Sequence, residues 1–253
     1  MVWSCLVSIL PGMAQTEKLT DYVNPFVGTD GYGNVYPGAQ IPFGGIQISP
    51  DTDSRFYDAA SGYKYNHLTL MGFSLTHLSG TGIPDLGDFL FIPGTGEMKL
   101  EPGTHEDPDQ GYRSRYSHDK EWASPNYYAV ELADYGVKAE MTSGVRSGMF
   151  RFTYPESDNA FIMIDMNHTL WQSCEWSNLR MINDSTITGY KLVKGWGPER
   201  HVYFTATFSK KLTGLRFVQD KKPVIYNTSR FRSSYEAWGK NLMACISFDL
   251  SLI

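Results

Sequence analysis

From residue 126 onward the sequence alternates. Runs at Tyr127–Leu132, Val137–Thr142, Gly148–Tyr154, Phe161–Met166, Thr186–Leu192, Val202–Phe208, Leu215–Val218 and Leu242–Phe248 are rich in β-branched and aromatic residues. Turn signals separate many of them: Asp134-Tyr135-Gly136, Pro155 to Asn159, Asn183-Asp184-Ser185 and Gly195-Trp196-Gly197-Pro198. A period of two sends successive side chains to opposite faces of a pleated strand. In the run from Val202, residues Val202, Phe204, Ala206 and Phe208 share one face, while Tyr203, Thr205 and Thr207 share the other. That is the pattern of a half-buried antiparallel strand. Short strands at this spacing predict an all-β fold, an antiparallel β-sandwich.

Residues 16–125 read as long Gly- and Pro-rich loops with short strands between them. Turn signals crowd there: Gly28-Thr29-Asp30-Gly31-Tyr32-Gly33-Asn34, Pro37-Gly38, Pro42-Phe43-Gly44-Gly45 and Pro93-Gly94. Long ordered loops are usually functional. One helical turn is expected near Asn66–Phe73. The chain holds 24 Gly and 13 Pro in 253 residues, too many for a helix bundle. The length fits one large all-β domain or two small domains, and residues 16–253 are taken as one. Lys and Arg number 22 against 27 Asp and Glu, a net charge of −5, and no basic face is expected to meet nucleic acid.

The first residues, Met1 to Leu10, are apolar and lead through Pro11-Gly12-Met13-Ala14 into a polar segment. This resembles a secretory signal over residues 1–15, cut near Ala14, and the run is too short to span a bilayer. Removing it leaves Cys174 and Cys245, which either pair in an oxidising compartment or stay buried as free thiols. At the other end, the alternating run from Asn241 to Leu250 stops three residues later without a polar tail. That ending is expected of a chain cut from something longer.

The phosphate-loop, His-Glu-x-x-His and Gly-x-Ser-x-Gly signatures do not occur. Asp30 to Asn34 superficially suggests a calcium loop, but it lacks the alternating oxygen ligands and closing Glu and reads as a turn. The densest stretch runs from Met71 to Asp88, with His77 among small polar residues and glycines. His77 either faces a ligand or bonds to backbone within a packed loop. Asp85 with Asp88, Asp51 with Asp53, and Asp107 with Asp109 are each available as a glycosidase acid–base pair, though carboxylates in such segments are mostly turn residues. Trp122, Trp171, Trp176 and Trp196 fall in or beside expected loops, where an indole can stack on a sugar face. Asn167-His168-Thr169, Asn183-Asp184-Ser185 and Asn227-Thr228-Ser229 fit the glycosylation pattern, and no role is assigned to them.

Several motifs together carry a family resemblance. Tyr22-Val23-Asn24-Pro25-Phe26-Val27-Gly28-Thr29, Tyr36-Pro37-Gly38-Ala39, Pro42-Phe43-Gly44 and Gln47-Ile48-Ser49-Pro50-Asp51-Thr52 resemble the start of glycoside hydrolase family 92. So do Ser61-Gly62-Tyr63 and the run from Gly72 through His77 to Gly82, with Asp85 and Gly87. The resemblance runs from about residue 21 to about residue 248. It implies a calcium-dependent, exo-acting, inverting α-mannosidase that trims mannose from glycans. It also implies an N-terminal, supersandwich-like antiparallel β-sandwich followed by a larger (α/α)6 barrel. The barrel would hold the catalytic Glu acid, the Asp base and most calcium (Ca2+) ligands. This chain matches only the N-terminal domain, which would pack on its own C-terminal barrel and close part of the mannose pocket.

On that resemblance Asp51, Tyr63, His77 and Asp85 are the candidates for substrate contact or the domain interface. No catalytic residue and no metal ligand is assigned to this chain. Many relatives carry His where this chain has Leu75. The family's last sandwich strand is expected beyond this sequence. The implied location is exported, periplasmic or at the outer surface of a bacterium. Two other readings stay open: a free-standing carbohydrate-binding module, and a purely structural domain.

Overall fold

The computed structural model describes residues 17–54, 57–225 and 235–248. The expected signal segment, Cys5 and the Asn227 sequon lie outside them. The strands in chain order are β1 (Ala39–Gln40), β2 (Gln47–Asp51), β3 (Thr69–Leu70), β4 (Gly72–Ser74), β5 (Leu90–Thr95), β6 (Ser114–Arg115), β7 (Glu121–Ser124), β8 (Tyr127–Leu132) and β9 (Val137–Ser143). They continue as β10 (Gly148–Thr153), β11 (Ala160–Asp165), β12 (Ser173–Asn183), β13 (Thr186–Lys194), β14 (Arg200–Thr207), β15 (Leu212–Gln219), β16 (Lys222–Pro223), β17 (Glu236–Gly239) and β18 (Leu242–Phe248). Every strand pairing is antiparallel. The all-β sandwich expected from the alternation is what forms. The turn expected near Asn66–Phe73 is not helical. Thr69–Leu70 and Gly72–Ser74 are extended there, because both segments are captured by neighbouring strands.

An eight-stranded sheet in the order β1-β2-β4-β5-β11-β18-β15-β16 forms the spine. Two four-stranded sheets, β10-β9-β8-β7 and β14-β13-β12-β17, cover the same face of it. Phe91 on β5 is the joint between them. Its ring centroid is 5.2 Å from Phe150 of β10 and 6.0 Å from Phe204 of β14. Burying one such ring contributes about 1.5–3 kcal/mol. The other face of the spine is lined by Leu90, Ile92, Phe161, Met163, Met243 and Cys245. Met98, Leu100, Tyr112 and Tyr135 pack over that face. Strands β5, β11 and β18 are therefore buried on both sides, and their sequences are continuous apolar runs.

The inward residues of β14 are Val202, Phe204 and Ala206, with Phe208 just beyond, as the alternation requires. Leu75 packs between the two cores, and its surroundings are apolar. Cys174 and Cys245 are buried free thiols. Burial raises both, Cys245 to about 11. No helix among the described residues is long and apolar enough to cross a membrane.

Candidate functional site

The Gly-rich loops of the first half converge on Asp51, the last residue of β2. Asp51 pairs with Gly72 of β4 and accepts from the Met71 amide through its backbone oxygen. Beyond Ser74 the chain leaves β4 and returns His77 to the Asp51 carboxylate. His77 Nε2 lies 2.7 Å from Asp51 Oδ1 and His77 Nδ1 lies 2.7 Å from the Gln47 carbonyl. A carbonyl only accepts, so Nδ1 donates to it, and Nε2 faces the carboxylate. His168, from the loop after β11, donates from Nε2 to Asp51 Oδ2 at 2.7 Å. Gly62 makes room for this hub. Its φ is +87°, and a Cβ there would sit 2.2 Å from Asp51 Oδ1. Burial alone would raise the Asp51 carboxyl, but the two histidines overcome it and hold it far below the usual carboxylate range.

A second hub lies beside the first. The His168 carbonyl accepts from Lys191 Nζ at 2.6 Å. Lys191 sits on the inward face of β13, fully buried, with its ammonium 5.3 Å from the Phe89 ring centroid. It is 3.1 Å from Asp88 Oδ1, close enough for an ion pair though off the hydrogen-bond direction. Asp88 Oδ2 accepts from Thr76 Oγ1 at 2.7 Å and from Arg200. Burial pushes the Asp88 carboxyl up, and Lys191 and Arg200 more than offset it, so the net shift is downward. Arg200 also reaches toward Asp85, at 3.9 Å. Asp85 Oδ1 accepts from the amide of Leu86 at 2.6 Å, a turn contact.

Of the four candidates, Asp51 and His77 are brought together, and Asp85 joins them through Arg200, Asp88, Lys191 and His168. Tyr63 is elsewhere, inside the core between β4 and β8. Its hydroxyl donates to both Glu121 oxygens at 3.0 and 3.1 Å, and Glu121 also receives Tyr128 and His118. Glu121 and burial together raise the Tyr63 phenol, burial being the larger cause. The remaining carboxylate pairs are engaged locally. Asp53 accepts from the Ser54 amide at 2.7 Å, Asp107 precedes a short 3-10 turn, and Asp109 makes a two-pronged contact with Arg115 at 2.8 Å on each arm. His168, Lys191, Asp88 and Arg200 complete the network. Of these, only Asp88 stood out in the sequence for chemistry.

Outside the hub is a cleft of about 610 Å³ lined by His168, Asp165, Asn167, Trp171 and Gln172, among others. Trp171 has φ +71° and is 55 % exposed, and its ring lies 5.3 Å from that of Tyr57. Gln172 donates through Nε2 to the Pro84 carbonyl at 2.8 Å, while its Oε1 is buried without a partner. Amides, a carboxylate and an indole rim suit a polyol better than an apolar ligand. Trp196 is in a loop, as the sequence indicates, whereas Trp122 and Trp176 stand on β7 and β12.

Calcium requires six to eight oxygen ligands. The described residues contain no group of His, Cys, Asp or Glu suited to a metal ion. The oxygens of Asp51 and Asp88 already face His77, His168, Lys191 and Arg200, so these residues do not fit calcium. Asp30 to Asn34 closes as a turn, the Gly33 amide donating to the Asp30 carbonyl at 3.2 Å.

Residues 22–251 match the family model described as the glycosyl hydrolase family 92 N-terminal domain. An uncharacterized secreted glycosidase of Arthroderma benhamiae is 30 % identical over 139 residues, 54 % of this chain and 17 % of that protein. Among solved structures, the family GH92 glycosyl hydrolase ccman5 superposes with a TM-score of 0.74 at 27 % identity. The match covers 91 % of this chain and 30 % of that one. An inverting mannosidase of family GH92 from Bacteroides thetaiotaomicron gives a TM-score of 0.74 at 23 % identity, over 94 % of this chain and 30 % of its own, a likeness of fold alone. This chain thus spans less than a third of each relative.

Proposed function

The chain belongs to glycosyl hydrolase family 92 as its N-terminal domain, and from that premise we propose that it builds one wall of the mannose pocket of an exo-acting, inverting α-mannosidase. The supporting observation is the bond between Asp51 and His168. It ties the loops that carry the family motifs, residues 51–88, to the loop at 166–172 that carries Asn167, Trp171 and Gln172. A pocket wall must be rigid to hold a sugar in one pose, and a largely buried ion network supplies that rigidity.

Inverting hydrolysis uses an acid and a base on opposite faces of the sugar. We assign both to a catalytic domain beyond this chain, together with the calcium site that the resemblance implies. The residues of this chain orient and enclose: Trp171 stacks on a sugar face, Asn167 and Gln172 bond its hydroxyls, and His168 is held from behind. We propose export as well, to the periplasm or outer surface of a bacterium. The name of the A. benhamiae relative, a secreted glycosidase, supports the export.

The test is mannose release from an α-linked mannobiose by the protein that joins this chain to its catalytic domain. Trp171→Ala should lower kcat/KM at least about tenfold, the loss of one well-placed contact, while Trp122→Ala on β7 should leave it unchanged. The 253-residue chain alone should release no mannose. Equal kcat/KM in the Trp171 variant, or activity of the chain alone, overturns this reading.

A further inference from the structure

The two smaller sheets cover the same face of the spine, yet their outer surfaces differ in chemistry. On the β10-β9-β8-β7 sheet and the turn before β7 the outward face is dominated by paired charges, with Lys138 also lying over the single indole, Trp122, at 5.6 Å. Lys120 meets Glu131 at 3.2 Å, and Glu140 meets Arg151 at 2.6 Å and Lys138 at 3.6 Å. That is an ordinary solvated surface.

The outer face of the β14-β13-β12-β17 sheet is built differently. Strand register places Tyr203 opposite Tyr190, Tyr190 opposite Asn178, and Asn178 opposite Trp238. One straight row of ring, ring, amide and ring therefore crosses all four strands. The Tyr190 and Tyr203 centroids are 4.8 Å apart at 33°. Trp238 is 51 % exposed and Tyr203 is 70 % exposed. The adjoining row runs from His201 through Leu192 to Trp176, itself 46 % exposed. At strand spacings of about 4.8 Å, the first row extends roughly 14 Å, room for a short oligosaccharide.

We propose that this face is a carbohydrate-binding surface for neutral oligosaccharides, separate in its residues from the cleft at Trp171. The row itself carries no formal charge. The charges beside it are neutralised locally: Arg180 lies opposite Glu236, Glu236 accepts from Asn178 at 3.0 Å, and Lys240 meets Glu175 at 3.0 Å. The surface left between them is flat, aromatic and edged by phenol, indole and amide groups. Aromatic faces pack against sugar C–H groups while their polar tips reach hydroxyls. A protein interface of this area would centre on desolvated apolar residues. Here instead an amide sits in mid-row, and the next row on the other side begins with Thr205 and Thr188.

The test is titration of the 253-residue chain with mannopentaose, and with cello- and xylopentaose as alternative neutral ligands, read by tryptophan fluorescence and calorimetry. Tyr203→Ala/Trp238→Ala should weaken binding at least tenfold with an unchanged thermal midpoint, since both side chains are at the surface. Trp171→Ala should retain binding here even where it abolishes turnover in the longer protein. This separates the fate of the surface from that of the pocket wall. Equal affinity in the double variant, or no binding of any of the three sugars by the unmodified chain, overturns the proposal. So does sedimentation showing a dimer of the unmodified chain that becomes a monomer in the double variant, because a second copy would then be the occupant.

Discussion

Asp51 and His168 are 117 residues apart in sequence and meet at 2.7 Å, the carboxylate fully buried and the imidazole nearly so. With His77 on its other oxygen, Asp51 closes a buried long-range link between the loop-rich and strand-rich halves of the chain. Removing one partner from a buried, hydrogen-bonded charge group costs about 3–5 kcal/mol, because the others are left uncompensated. Asp51→Ala should therefore lower the stability read from a urea midpoint by that amount. A loss below about 1 kcal/mol, the scale of a surface pair, would show that the hub carries no structural weight.

Acid should undo the same hub. The histidines hold the Asp51 carboxyl far below its ordinary value, and Asp88 is lowered too by Lys191 and Arg200 against the opposing effect of burial. In the unfolded chain both titrate near ~3.9. Between the two values the unfolded state binds more protons, so stability falls as pH falls. The contribution is complete above about pH 5 and is lost progressively below about pH 4. Thermal midpoints measured through this window should fall less steeply for Asp51→Asn than for the unmodified chain. Parallel slopes would count against the Asp51 pairing.

Lys191 and Asp88 should be strongly coupled. Lys191→Met leaves Asp88 with Arg200 and the Thr76 hydroxyl, and Asp88→Asn leaves a buried ammonium facing an amide. In a double-mutant cycle the two losses should sum to more than the double variant loses, by about 0.5–3 kcal/mol. Additive losses would mean that the 3.1 Å approach contributes nothing to stability.

Gly62 and Gly31 both have positive φ, +87° and +59°, but only Gly62 is crowded. Gly31→Ala should cost about 1 kcal/mol of backbone strain. Gly62→Ala adds a Cβ 2.2 Å from Asp51 Oδ1, and should cost about 1–3 kcal/mol more by displacing the hub. Similar denaturation midpoints for the two variants would place Asp51 outside any tight packing.

How much of this was legible depended on composition at particular positions. The strands Tyr127–Leu132 and Leu242–Phe248 were read with the bounds they have, because apolar and β-branched residues mark them. The longest strand, β12, was not read. Its inward residues include Cys174, Ser177 and Leu179, too mixed to show a period. Asp51 and His77 were both marked by the family motifs, yet nothing in their spacing made them partners, since strand pairing and a glycine turn bring them together. His168 was visible only as part of a sequon. Lys191 had a signal of its own: it stands in phase with Ile187 and Val193 on an inward face, where a lysine needs a buried counter-charge.

The strand order of the spine sets the sequence of events in folding. β18 lies between β11 and β15, the second of which precedes it by only a short stretch of chain, while β11 is about eighty residues earlier. A nascent chain made from its N-terminus exposes the apolar edge of β11 until residues 242–248 emerge to cover it. Pairings of such separation form slowly. That edge is therefore open while residues 166–241 are made, a state that a chaperone, or an aggregating neighbour, can find.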